Sequence, residues 1–133
     1  NSYDNTIFHR VIKNFMIQGG GFDKDMTKLP TGPALVNEAS VGWRNKRGAV
    51  AMARLNHDVD SATNQFFINL VDNFFLDYRG NSLDLYGYAV FGRVIVGLDV
   101  VDRIGAVKTG RVSNYSDVPL DDVVITDVVV VKK

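Results

Sequence analysis

The stretch "FHRVIKNFMIQGGGF", Phe8 to Phe22, alternates apolar and polar residues only roughly as far as Ile12, breaks at Lys13-Asn14, and resumes before three successive glycines. Two strands joined by a turn at Lys13-Asn14 follow from that pattern. Strict alternation places Phe8, Arg10 and Ile12 on one face, opposite His9 and Val11. A turn that preserves parity adds Met16 and Gln18 to the face of Arg10. A guanidinium, a thioether and an amide then sit beside Phe8 and Phe15, a small polar set on an apolar floor. Pattern alone favours plainer roles: a surface ion-pairing arginine at position 10, core packing for Phe15 and Met16, and a solvated edge for Gln18.

Similar β-like runs recur along the chain. "TIFHRVI" (6–12), "FMIQGG" (15–20), "GAVAMARL" (48–55), "QFFINLV" (65–71), "YAVFGRVIV" (88–96) and "VVITDVVVVKK" (123–133) are rich in Val, Ile and Phe and are separated by glycine, proline, asparagine and aspartate. Only "VGLDVVDRIGAV" (96–107) reads as a helix, with Leu98, Val101 and Ile104 at three-residue spacing and Gly105 as a stop. Strands that outnumber helices, without helical patterns between them, predict a mainly β fold, an antiparallel barrel or sandwich. The Gly-Pro stretch at 30–33 reads as a loop inside a single domain spanning 1–133.

At 133 residues and 14.7 kDa the chain is long enough for a substantial core. Fifteen basic and fifteen acidic residues cancel, so charge predicts no general attraction to nucleic acid or membrane. No apolar run is long enough to span a bilayer as a helix. Without cysteine there is neither disulfide nor thiolate chemistry, and the compartment stays open.

The common chemical motifs fit poorly. "GGGF" lacks the Gly-Lys-Ser/Thr of a phosphate loop, so its glycines read as turns or close backbone approaches. His9 and His57 are far apart and have no cysteine partners, so no metal site is predicted. "HDVDS" (57–61) places His57 near Asp58, Asp60 and Ser61, but adjacency in a loop does not make a hydrolytic triad, and a polar turn is the better reading. In "QFFINLV", Gln65 and Phe67 share one parity and Phe66 and Ile68 the other, so one face faces a core and the other either a groove or more core. Phe74, Phe75 and Leu76 precede a polar loop, where a core or a ligand must cover them.

Three segments then carry a resemblance. "FHRVIKNFMIQGGGF", "MARLNHDVDSATNQFFINLVDN" and "GYAVFGRVIVGLDVVDRI" resemble, in order, the signature segments of cyclophilin-type peptidyl-prolyl cis-trans isomerases. "NEASVGWRNKRGAVAMA" and "TGRVSNYSDVPLDDVVI" look like the single-domain bacterial members, whose cytoplasmic and periplasmic forms leave the compartment undecided. The resemblance implies an eight-stranded antiparallel barrel with capping helices, no cofactor, and isomerisation of X-Pro peptide bonds in unfolded or folding proteins. It implies that Arg10 is the catalytic arginine and that Gln18 orients the substrate. Phe15, Met16, Phe67 and Leu76 match the pocket for the proline ring, and Ala53, Arg54 and Gln65 match groove positions, the Arg54 position acting mainly through its peptide group. Phe75 and Tyr88 stand where eukaryotic members carry tryptophan and histidine, which implies weak cyclosporin binding. Members normally begin with two strands and a helix ahead of the position of Tyr3, so the resemblance also implies an N-terminally truncated domain with an incomplete barrel. The C-terminal run 121–133 is then expected to pair with the absent first strand. The alternative is a module that binds proline peptides without significant turnover.

Overall fold

The computed structural model describes residues 3–131, so Lys132 and Lys133 of the last predicted strand lie outside the described residues. Among the described residues, eight strands and one α-helix are present: β1 (Thr6–Ile12), β2 (Met16–Asp23), β3 (Ala49–Met52), β4 (Phe66–Asn69), β5 (Val90–Arg93), α1 (Leu98–Gly105), β6 (Thr109–Val112), β7 (Tyr115–Pro119) and β8 (Val124–Ile125). Six strands form one antiparallel sheet in the order β5-β3-β4-β2-β1-β8, and β6 and β7 form a separate hairpin. The large sheet is open rather than closed on itself, with β5 and β8 at its edges.

The opening hairpin forms as its pattern predicts. Asn14 takes a left-handed φ of 61° in the turn, a conformation asparagine tolerates well, and Ile12 then pairs with Met16 and Arg10 with Gln18. Directly opposed residues share a face, so Arg10, Ile12, Met16 and Gln18 do line one side of the sheet. Phe8 does not join them. It pairs with Gly19 while Arg10 pairs with Gln18, so β1 spends an extra residue between them. This bulge reverses the parity and turns Phe8 to the other face, into a cluster with Val11, Ile17, Leu70 and Val101.

That cluster is the main core. Phe66, Ile68 and Ile104 pack around it, and α1 supplies Val101 and Ile104 from its apolar stripe. Against Gly105 the side chain of Leu70 lies so close that an added Cβ would come within 2.8 Å of it, which fixes how near the helix rides on the sheet. The β6–β7 hairpin, which the strand pattern does not predict, attaches through Tyr115, edge-on to Phe22 at 5.1 Å. Phe22 in turn packs on His9 at 4.5 Å.

The C-terminal run pairs less than its valine content predicts. Val124 and Ile125 pair with Ile7 and Thr6 of β1, whereas Val129, Val130 and Val131 are exposed and carry no strand assignment. Apolar composition favours a strand but cannot supply a partner edge.

Candidate active site

The second face of the sheet carries the candidate site. One row of paired residues crosses five strands: Arg10 opposes Gln18, Gln18 opposes Phe67, Phe67 opposes Ala51, and Ala51 opposes Val90. The row is polar at the β1 end and apolar at the β5 end. Met16, Ala51 and Phe67 form its buried floor, and Ile12, Phe15, Ala53, Leu76, Tyr88 and Val90 pack around them.

Above this floor lies an open cavity of about 390 Å³. Arg10, Phe15, Met16, Gln18, Ala53, Arg54, Phe67, Leu76 and Tyr88 line it, so nine of the eleven residues singled out in the sequence meet there. Gln65 is not among the lining residues and accepts a hydrogen bond from Gln18. Phe75 lies outside the lining, 57% exposed, its ring stacked on Phe15 at 5.9 Å. Leu55 and Asn56 also line the cavity, and the sequence reading did not single them out. The Tyr88 hydroxyl donates to Asn56 Oδ1 at 3.2 Å.

The polar edge is a directed chain. Gln18 Nε2 donates to Gln65 Oε1 at 2.8 Å, which leaves Gln18 Oε1 to accept from Arg10 Nη1 at 3.2 Å. The amide orientation of Gln18 is therefore fixed from one side and holds the guanidinium from the other. Gly21 makes this possible, because a Cβ there would meet the Gln65 side chain at 2.5 Å. Gly21 is thus a close backbone approach for Gln65, one of the two roles the sequence suggests for the glycines, while Gly19 lies against Ile7 and Phe8 and Gly20 against Tyr3 and Asn64.

Three buried asparagines support the pocket from behind. Asn73 Nδ2 donates to Phe15 O at 2.8 Å and to Asn69 Oδ1 at 2.8 Å. Asn69 Nδ2 donates to Asn45 Oδ1 at 3.0 Å and to Ala49 O at 3.2 Å. Asn45 Nδ2 reaches Leu76 O and Tyr88 O, each at 3.3 Å, and Asp77 Oδ1 at 3.0 Å. One network therefore grips the backbones of three pocket walls: Phe15, Leu76 and Tyr88. The sequence held one signal of it. Asn69 has the parity of Phe67, a position where a polar residue must find buried partners.

His9 is a further buried polar side chain near the site. Its alternation with Arg10 turns it away from the cavity, into contact with Phe22. Burial, reinforced by the positive charge of Arg10, lowers its pKa to about 4. His9 Nδ1 is buried without a hydrogen-bond partner.

Comparisons with known proteins show what the chain as a whole is similar to. The family described as cyclophilin type peptidyl-prolyl cis-trans isomerase matches residues 1–130. Peptidyl-prolyl cis-trans isomerase B of Escherichia coli is 54% identical over 128 residues, covering 96% of this chain and 77% of that protein. A peptidyl-prolyl cis-trans isomerase of Streptomyces antibioticus is 56% identical over 123 residues, 92% of this chain and 74% of its own length. Among solved structures, a cyclophilin type peptidyl-prolyl cis-trans isomerase of Cryptosporidium parvum, determined in the presence of the dipeptide Ala-Pro, superposes with a TM-score of 0.71 at 27% identity. The match covers 99% of this chain and 78% of that one. With the pocket and the sheet order alongside these matches, the chain belongs to the cyclophilin-type peptidyl-prolyl cis-trans isomerase family.

Proposed function

We propose that the cavity over Met16 and Phe67 receives a proline ring and that Arg10 catalyses rotation of the peptide bond preceding it. The carrying observation is the Gln65-Gln18-Arg10 chain, which holds a guanidinium at the rim of an apolar pocket.

The chemistry asks for little more. Amide resonance opposes rotation with a barrier of about 18–20 kcal/mol, and an uncatalysed X-Pro bond takes on the order of tens to hundreds of seconds. No covalent bond breaks. When the amide twists, the prolyl nitrogen pyramidalises and regains a lone pair that resonance had withdrawn. A donor aimed at that nitrogen binds the twisted state more strongly than the planar one, which is the condition for catalysis. Arginine supplies fixed N–H donors that keep their charge. Phe15, Met16, Phe67 and Leu76 hold the ring by apolar contact, Gln18 orients Arg10 and the substrate, and the groove at Ala53 leaves the preceding residue free to turn.

The substrates that fit are proline-containing peptides and folding polypeptides with accessible X-Pro bonds. Phe75 presents an apolar ring without the N–H donor of tryptophan, which supports weak cyclosporin binding.

A protease-coupled assay on a proline peptide tests the reading. Arg10→Ala should lower kcat/KM about a hundredfold, the order seen when one transition-state donor is removed. Unchanged turnover in Arg10→Ala refutes the assignment of Arg10. A wild-type chain that binds proline peptides without accelerating their isomerisation supports the binding module instead.

A further inference from the structure

We infer that the Arg54 side chain is a positioning residue that locks Tyr88 as a wall of the pocket. This rests on the reading of the cavity as a prolyl site and assigns a task to a side chain whose family position acts mainly through its peptide group.

The guanidinium of Arg54 is already occupied. Nε donates to Gly87 O at 3.1 Å, Nη1 to Leu55 O at 2.9 Å and Nη2 to Leu83 O at 3.3 Å. Its central carbon lies 4.5 Å from the centre of the Tyr88 ring, a cation–π contact. The three acceptors come from two segments. Leu55 follows β3 on one side of the cavity, and Leu83 and Gly87 belong to the loop that delivers Tyr88 on the other. One planar group thereby clips the two rims together and covers the tyrosine.

The clip falls where the loop turns sharply. Gly87 takes φ of +79°, and an added Cβ there would come within 2.6 Å of Asp77 and Tyr78 backbone atoms, so the chain makes a tight reversal just before Tyr88. The Gly87 carbonyl is held twice, by Arg54 and by Asn37 Nδ2 at 3.1 Å. Tyr88 then meets Phe67 edge-on at 5.7 Å. Removing Arg54 takes the cation from the face of the ring and unclips one rim, so that Tyr88 keeps only its edge contact with Phe67 and its hydroxyl bond to Asn56, while Arg10, Gln18 and the floor stay as they were. The consequence falls on ligand affinity rather than on the rate of the bound complex.

A double-mutant cycle with Arg54→Met and Tyr88→Leu tests this in the full chain. Ala-Pro dipeptide affinity is read by NMR titration, and kcat and KM by isomerisation of a proline peptide. Each single variant should weaken dipeptide binding about fivefold, roughly 1 kcal/mol, raising KM alike with kcat within about twofold. The double variant should match the weaker single one, because both changes remove the same wall. Losses that multiply to about 25-fold, a lowered kcat with unchanged dipeptide affinity, or unaltered affinity in Arg54→Met each overturn the inference. If Arg54→Met does not fold, as judged by circular dichroism, Arg54→Lys takes its place in the cycle under the same criteria, since an ammonium cannot span the three carbonyls as a planar fork. A wild type that binds Ala-Pro without turnover sinks the isomerase reading while the affinity arm still decides the role of Arg54.

Discussion

Replacing His9 with leucine should remove an acid sensitivity built into the hairpin that carries Arg10. His9 is 5% exposed, its Nδ1 lacks a partner, and its pKa falls from 6.5 to about 4. Burial is the main cause, and the neighbouring Arg10 charge adds to it. Above pH 6.5 the imidazole is neutral in both folded and unfolded chains and costs nothing in linkage. Between 6.5 and 4 the unfolded chain binds a proton that the folded chain refuses, so stability falls as pH falls. Below about 4 both forms are protonated and the loss levels off at about 3 kcal/mol, taking roughly 1.4 kcal/mol for each pH unit of difference. From pH 7 to pH 5 the expected share is about 2 kcal/mol. Other groups titrate in the same window, so the informative quantity is a difference between proteins. Urea unfolding of wild type and His9→Leu at pH 7 and pH 5 should show the wild type losing about 2 kcal/mol more. At pH 7 the variant should equal or exceed the wild type, because leucine keeps contact with Phe22 and removes an unsatisfied buried polar atom. Equal acid losses in the two proteins would refute the argument.

Two further substitutions address the site's supports. Gln65→Leu removes the acceptor that fixes Gln18, so Arg10 loses its orientation; kcat should drop about tenfold with dipeptide affinity nearly unchanged, and Gly21→Ala should reproduce the defect by displacing Gln65. Steady-state kinetics check both. Asn69→Leu strands Asn45 Oδ1, takes a donor from Ala49 O and leaves Asn73 Nδ2 only its bond to Phe15 O, and should cost about 2 kcal/mol in urea unfolding, since an orphaned buried group costs about 1–3 kcal/mol.

What could be read from the residues followed the range of the forces involved. Helix α1 was legible because Leu98, Val101 and Ile104 carry their own period, and the β1–β2 hairpin because both strands and the turn lie within one short stretch. The split between Phe67 and Phe66 was legible for the same reason. Phe8 was misplaced because a bulge is a property of the pair of strands and leaves no mark in the alternation of one. The β6–β7 hairpin escaped notice because "TGRV" and "YSDVP" lack alternating apolar residues; Ser113 turns it with a φ of 53° and Tyr115 anchors it from a distance. Asn45, Asn69 and Asn73 were silent as a group, since only the folded sheet brings residue 45 to residues 69 and 73. The family resemblance gathered the pocket residues in advance but gave no hint of how Arg54 spends its donors.

The proposed site and the core are two faces of the same few strands, and this ties the placement of the proposed catalytic side chains to packing. In β2, Met16 and Gln18 face the cavity while Ile17 between them is fully buried in the core. In β4, Phe67 faces the cavity while Phe66 and Ile68 pack on the core side. A slip of one residue in either strand would expose the core set and bury Gln18. The burial of Ile17, Val11 and Leu70 therefore fixes the register, and the register aims Arg10 across at Gln18. Polar side chains at the rim need not bear the cost of their own placement, because apolar burial on the far face has already set it. That is why an arginine can stand among apolar strand residues at position 10. Its backbone is held by the core beneath, and only its tip is left to be held by Gln18.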